Sequence, residues 1–155
     1  MSNAFKAQDT IAAKMGECYV TINGETYNFA QCKNIELKMN KDKKAVEILG
    51  RVAKGHKSYG CDYEGKMTMY YNTSVLRSLL AQYKDTGVDI YFDMQTKIED
   101  PTTSIGKEIL IVNGCNLNGG LLAKFDAAGD ILEEDVEFTF EDYQINEKFS
   151  KLRGM

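Results

Sequence analysis

One histidine, His56, and four cysteines, Cys18, Cys32, Cys61 and Cys115, are the residues with which this chain could do nucleophilic or metal chemistry. His56 and Cys61 are near each other in sequence, and a Cys–His dyad would pair a thiolate nucleophile with an imidazole base. They flank Gly60 in a Gly- and Lys-rich stretch with no residue placed to orient the imidazole, so the plainer reading is a surface or packing histidine. The cysteines are widely spaced and form no C-x-x-C pair, which argues for reduced, mostly buried thiols rather than disulfides or a metal centre. Phosphate-binding, dinucleotide, zincin and nucleophile-elbow motifs are absent. The acids of the alternating segments read as solvent-facing, and no acid/base pair stands out. The expectation is therefore no catalytic residue, no cofactor, no metal and no enzymatic activity.

Charge carries a stronger signal. The net charge is −4 on 155 residues, but it is unevenly spread. Lys41, Lys43, Lys44, Arg51, Lys54, His56 and Lys57 crowd one segment, set against Asp42 and Glu47. From Phe125 to Glu147 there is no Lys or Arg, while Asp126, Asp130, Glu133, Glu134, Asp135 and Glu137 are among its acids. Either run alone reads equally well as a solvated face. Both on one small domain make a molecule with opposite poles, which favours head-to-tail self-association. The competing reading is a monomeric β-barrel module that grips nucleic acid or another polyanion through residues 42–60. Tyr59 and Tyr63 border that segment, but it has no interleaved aromatics and the protein's own field opposes the ligand.

The elements that hold these residues are mostly strands. "ECYVTINGETYNF" sets Cys18, Val20 and Ile22 on one face, and Asn23-Gly24 marks a tight hairpin. "NIELKMNK" and "KMTMYY" alternate, with Ile35, Leu37 and Met39, then Met67, Met69 and Tyr71, on their apolar sides. Between them residues 42–60 show no sustained period of two and read as a long basic loop, although "KAVEIL" could extend a strand. "NTSVLRSLLAQYKDTG" predicts one helix over 73–86, capped by Asn72 or Thr73 and ended by Gly87. Its stripe is Val75, Leu76, Leu79, Leu80 and Tyr83, with Arg77, Gln82 and Lys84 outside. "VDIYFDMQTKI" alternates from Val88 to Ile98, Pro101 breaks it, and "EILIVNGCNLNG" and "ILEEDVEFTFEDYQI" supply the last strands, with Val136, Phe138 and Phe140 facing one way. The tally is a single mainly β domain over 1–155. It is an antiparallel β-barrel or sandwich of about seven or eight strands with one packed α-helix and a long inter-strand loop. No apolar run approaches the roughly 20 residues needed to cross a bilayer, and "MSNAFKAQDTIAAK" has no apolar stretch of signal-peptide length, so a cytoplasmic origin is expected.

In order and spacing, "ILGRVAKGHKSYGCDYEGKMTMYYNTS", "EDPTTSIGKE" and "LEEDVEFTFEDYQINEKF" resemble the tail tube proteins of contractile-tailed phages, and most nearly those of defective phage-like elements of Gram-positive bacteria. The resemblance implies a structural subunit that forms sixfold rings, stacked into a hollow tube that passes DNA. It implies that residues 42–60 reach the adjoining ring, that helix 73–86 packs outside the lumen-lining sheet, and that an N-terminal arm, residues 1–14, contacts neighbouring protomers. The implied partners are further copies of the chain, a tail sheath, tape-measure and baseplate proteins, and DNA that transits without tight binding, with no membrane. The implied location is a virion tail or phage-like particle assembled in the host bacterial cytoplasm. On this reading Lys41, Lys43, Lys44, Arg51, Lys54, His56 and Lys57 are candidate inter-subunit residues, and Glu133, Glu134, Asp135 and Glu137 are candidate docking acids on the next copy.

Overall fold

A computed structural model describes residues 6–12, 14–29 and 32–150. The expected N-terminal arm lies partly outside them; its described part makes a single 3-10 turn, Ala7–Asp9. The strands are β1 (Gly16–Ile22), β2 (Glu25–Asn28), β3 (Cys32–Val46), β4 (Gly55–Tyr70), β5 (Phe92–Glu99), β6 (Lys107–Leu117), β7 (Glu133–Phe140) and β8 (Asp142–Glu147), with one helix, α1 (Val75–Thr86). All pairings are antiparallel, in the order β2-β1-β5-β6-β7-β4-β3, with β8 also on β6. The ends do not meet, so the protomer is an open sandwich rather than a closed barrel, and β2, β3 and β8 are left as edges.

Strand β6 builds the corner. Its earlier residues pair with β5 and β8, and its last two, Asn116 and Leu117, pair with Thr139 and Phe138 of β7. Between them Gly114 takes φ 69 with the Glu141 side chain against it, a conformation that strains other residues. A strand that changes partners at such a point folds one sheet over the other. Sheet I is then β2-β1-β5-β6-β8, and sheet II is β6-β7-β4-β3.

Their inner faces make the core. Val20, Met94 and Val112 of sheet I meet Met67, Met69, Val136 and Phe138 of sheet II, all buried. Phe92 approaches Phe138 with ring centroids 6.3 Å apart. Alternation supplies these residues because successive strand side chains point to opposite faces. The Asn23-Gly24 hairpin forms as expected, with φ 52 and 83. Gly65 stands where Phe138 and Leu37 lie across the backbone; a Cβ there would sit 2.5 Å from the Phe138 ring and 2.7 Å from Leu37.

Three boundaries differ from the sequence reading. Helix α1 starts at Val75, with Ser74 at its N-cap and Thr73 Oγ1 accepting from Val75 N at 3.3 Å; Gly87 ends it at φ 73. Strand β5 begins at Phe92, because Val88 and Tyr91 lie in the exposed exit from the helix. The largest difference is at 42–60. Strands β3 and β4 run on as a hairpin to the pair Val46↔Gly55, so the loop shrinks to residues 47–54. The outer hairpin lacks apolar alternation because neither of its faces is covered, not because it is irregular. Among the described residues, no helix is long and apolar enough to cross a membrane.

Candidate self-assembly surface

The β3–β4 hairpin has two parts. From Tyr63 to Tyr70, β4 is flanked on its other side by β7, with Tyr63 opposite Phe140 and Tyr70 opposite Glu133. Tyr63 stacks on Phe140 at 5.1 Å and meets Tyr143 edge-on at 5.5 Å, which closes the covered region. Beyond Tyr63 the ribbon continues to Gly55 with only β3 beside it, a reach of about 26 Å at strand rise. Isolated two-stranded ribbons are marginal in water. A register shift between Asp42 and Lys43 bends this one at Tyr59.

The basic candidates all lie on this arm. Lys41, Lys43 and Lys44 are on outer β3, His56 and Lys57 on outer β4, and Arg51 and Lys54 in the tip, and every one is exposed. Lys44 stands directly opposite Lys57 in the register, a like-charge pair that disfavours the ribbon. Lys54 lies 3.8 Å from Glu47, but both are highly exposed and such a pair is worth little. The arm thus presents positive charge that the protomer itself leaves unbalanced.

The acidic candidates lie along the base, from Glu137 beside Lys66 to Glu133 beside Tyr70. Strand β7 starts at Glu133 beside Tyr70, some 15 residues along β4 from Gly55, or about 50 Å away. The two sets do not meet within one chain. Glu134 must be removed from the docking set: it is 4% exposed and bonded to Arg77 at 2.7 Å. Its parity explains this, since 134, 136, 138 and 140 share the inner face. Arg77 also bonds the Thr73 carbonyl and lies 4.2 Å over the Tyr71 ring, so it clamps α1 to sheet II instead of facing outward. Glu133 is held by Lys33 at 2.8 Å, and Asp135 accepts from Thr68 at 2.7 Å, though both stay partly or fully accessible. Glu137 is exposed opposite Lys66.

The outer face of sheet II is a ladder of compensating charge. Glu36, Lys66 and Glu137 form one row across the strands, and Lys38 reaches Glu64 at 3.2 Å in the next. A shallow groove of about 200 Å³ runs between these residues and Asn118. Hydrogen bonds from Asn40 and then Lys38 to the Glu64 carboxyl lower its pKa from the usual carboxylate value. Cys18 and Cys115 are pushed up to about 12 by burial, which leaves them as unreactive thiols. His56 and Cys61 sit five residues apart on an extended strand, about 16 Å, too far for a dyad. Among the described residues no His, Cys, Asp and Glu group is arranged to hold a metal ion.

Sequence reasoning missed a further feature of the arm. Its tip carries Leu49 and Val52 fully in solvent, at 103% and 106% of reference exposure. The signal was present, because "EILGRVAK" puts apolar residues in a segment with no partner strand.

Chains of known assemblies share this fold. The chain superposes on a chain of the anti-feeding prophage baseplate with TM-score 0.66 at 10% identity, covering 93% of this chain and 96% of that one. It superposes on a chain of an extracellular contractile injection system sheath–tube complex with TM-score 0.60 at 11% identity, covering 83% and 88%. In sequence it is 36% identical over 147 residues to the phage-like element PBSX protein XkdM of Bacillus subtilis (strain 168), covering 95% of this chain and 97% of that protein. The family profile described as phage tail tube protein matches residues 3–147. An open sandwich with a bare charged arm, matched by that profile over residues 3–147, the chain belongs to the phage tail tube protein family.

Proposed function

We propose that this tail tube subunit closes laterally into sixfold rings that stack axially into a conduit for DNA. The observation that carries the reading is the arm: a ribbon of about 26 Å, exposed on both faces, whose unbalanced cations lie beyond the part of sheet II that carries Glu133, Asp135 and Glu137. A heterologous contact of that kind propagates into a ring or a filament. The exposed edges β2 and β3 supply the lateral surfaces, and pairing would remove edges that invite uncontrolled association.

Sheet II is the natural lumen wall. Helix α1 packs on its inner side through Leu76 and Arg77, and among the described residues no further layer covers its outer face. Six such four-stranded sheets, at about 4.8 Å per strand, make a wall about 115 Å around and about 37 Å across before tilt widens it. The cations on that face stand opposite carboxylates, so few are left to hold phosphate and a polyanion can pass. Lys41, Lys43, Lys44, Arg51, Lys54, His56 and Lys57 are the axial set, directed at the part of the next copy that carries Glu133, Asp135 and Glu137. A sheath outside, a tape-measure protein inside during assembly, and a baseplate at the end complete the particle, built in a bacterial cytoplasm.

Negative-stain microscopy of concentrated protein, with duplex DNA retention measured alongside, tests the reading. Stacked rings and little DNA retained at low salt are expected. A persistent monomer that retains DNA at low salt and releases it steeply with added salt would instead establish the polyanion-binding module.

A further inference from the structure

Two exposed apolar clusters stand at opposite ends of sheet II. One is the arm tip, where Ile48, Leu49 and Val52 are exposed. The other is the connection from β6 to β7, residues 118–132, where Leu122, Phe125 and Ile131 are 74%, 89% and 72% exposed. The register fixes their positions: Val46↔Gly55 closes the hairpin at one end, while Tyr70↔Glu133 places the start of β7, and the connection before it, at the other. About 50 Å of strand separates them, so one protomer cannot bring them together.

The connection is a held surface. Leu122 carbonyl accepts from Tyr71 Oη at 3.4 Å, and Lys124 Nζ donates to the Glu133 carbonyl at 3.3 Å. Asp126 accepts from Ala128 N at 3.0 Å in a turn closed by Gly129 N on the Asp126 carbonyl at 3.2 Å. Gly120 lies against Leu80 of α1.

Charge distinguishes the two clusters. Arg51 and Lys54 outnumber Glu47 around the apolar tip, and Asp126 and Asp130 outnumber Lys124 around Phe125 and Ile131. An apolar centre within a rim of complementary charge is the make-up of a specific interface. Solvent-facing aromatic and aliphatic groups on two surfaces of one molecule mark sites that are covered in the assembled state.

We propose that the arm tip of one copy seats on the 118–132 connection of a second copy, with Leu49 and Val52 packed against Leu122, Phe125 and Ile131, and Arg51 and Lys54 facing Asp126 and Asp130. This rests on the tube reading and deepens it by naming the receiving surface and the chemistry. The contact is apolar at its centre, and the charges set polarity and register around it. It also explains why the tip, the least supported part of the chain, carries aliphatic residues and not only lysines.

The test works in a Cys61→Ser background, since Cys61 is the exposed thiol. Leu49→Cys and Phe125→Cys proteins are prepared separately, mixed, assembled and treated with a short bismaleimide. A covalent dimer at least tenfold above that from either protein alone is expected. In parallel, Leu49→Ser/Val52→Ser and Phe125→Ser should each raise the concentration at which tubes appear at least tenfold, leave the melting temperature of the dispersed protomer unchanged, and together do no more than either alone. If tubes form at wild-type concentration in all the serine variants and the mixed cysteine proteins do not couple, the tip–connection contact is wrong while the tube reading stands. If the wild-type chain never assembles, both fall.

Discussion

The two halves of the β3–β4 hairpin are one continuous ribbon under opposite physical regimes. At the base, Met67 and Met69 are buried, Gly65 makes room for Phe138, and β7 occupies the second edge of β4. In the arm, paired lysines face each other across a two-stranded ribbon, and Leu49 and Val52 point into water. Burial of apolar surface holds the base, whereas among the described residues nothing holds the arm beyond its own ladder and tip turn. On the proposed reading the same backbone pattern encodes folding in one half and association in the other, and substitutions should separate the two.

The largest effect is expected where the base is clamped. Glu134→Ala leaves Arg77 partly buried without its carboxylate and should cost about 3 kcal/mol, read as a lower urea midpoint at unchanged slope. The exposed counterpart, Glu133→Ala, should cost less than about 0.5 kcal/mol. Next comes Gly65→Ala, whose Cβ would meet the Phe138 ring and Leu37; overpacking of this kind should cost about 2 kcal/mol. Gly60→Ala in the arm meets only the Asp42 carboxylate, at 3.4 Å, and should leave the midpoint nearly unchanged.

A smaller effect sits at the end of the molecule that, unlike the arm, is tied down. Asp9 accepts from Ser104 N and Oγ, both at 2.9 Å, and Asp100 accepts from Ala12 N and Thr102 N, both at 3.0 Å. The bond from Ala12 N, then that from Thr102 N, holds the Asp100 pKa below its ordinary value, so its contribution is complete above the usual carboxylate range, around pH 4, and is lost as pH falls through the lowered value. Asp100→Asn should be less stable than wild type at pH 7 and lose less on acidification, as measured by paired urea titrations. The smallest effect on the fold is in the arm. Lys54→Glu/Lys57→Glu should leave the melting temperature within about 1 °C but shorten tubes in electron micrographs, since exposed charges contribute little to the protomer.

Most of this division is written in alternation. Val20, Met94, Val136 and Phe138 are legible as core because each lies on a run of period two, and Asn23-Gly24 names its own turn. Glu134 shares the parity of Val136 and is legible as inward-facing, although its charge alone points to the surface. Arg77 was placed outside by helical spacing, and no local pattern announces a partner 57 residues away. The arm was hidden for a different reason: a strand with two wet faces has no hydrophobic period, so the hairpin looks like a loop until its pairing is seen. The acidic face needed the register of β4 with β7 to show that it lies on the base, apart from the lysines of the arm.

Amide hydrogen exchange on dispersed protomers and on assembled tubes tests the division most directly. Residues 41–46 and 55–60 should exchange quickly in the protomer, while residues 63–70 and 134–140 are protected. On assembly, protection of the arm should rise by at least tenfold and that of the base should hardly change. Equal protection of arm and base in the free protomer, or an arm as open in the tube as in solution, would contradict the account.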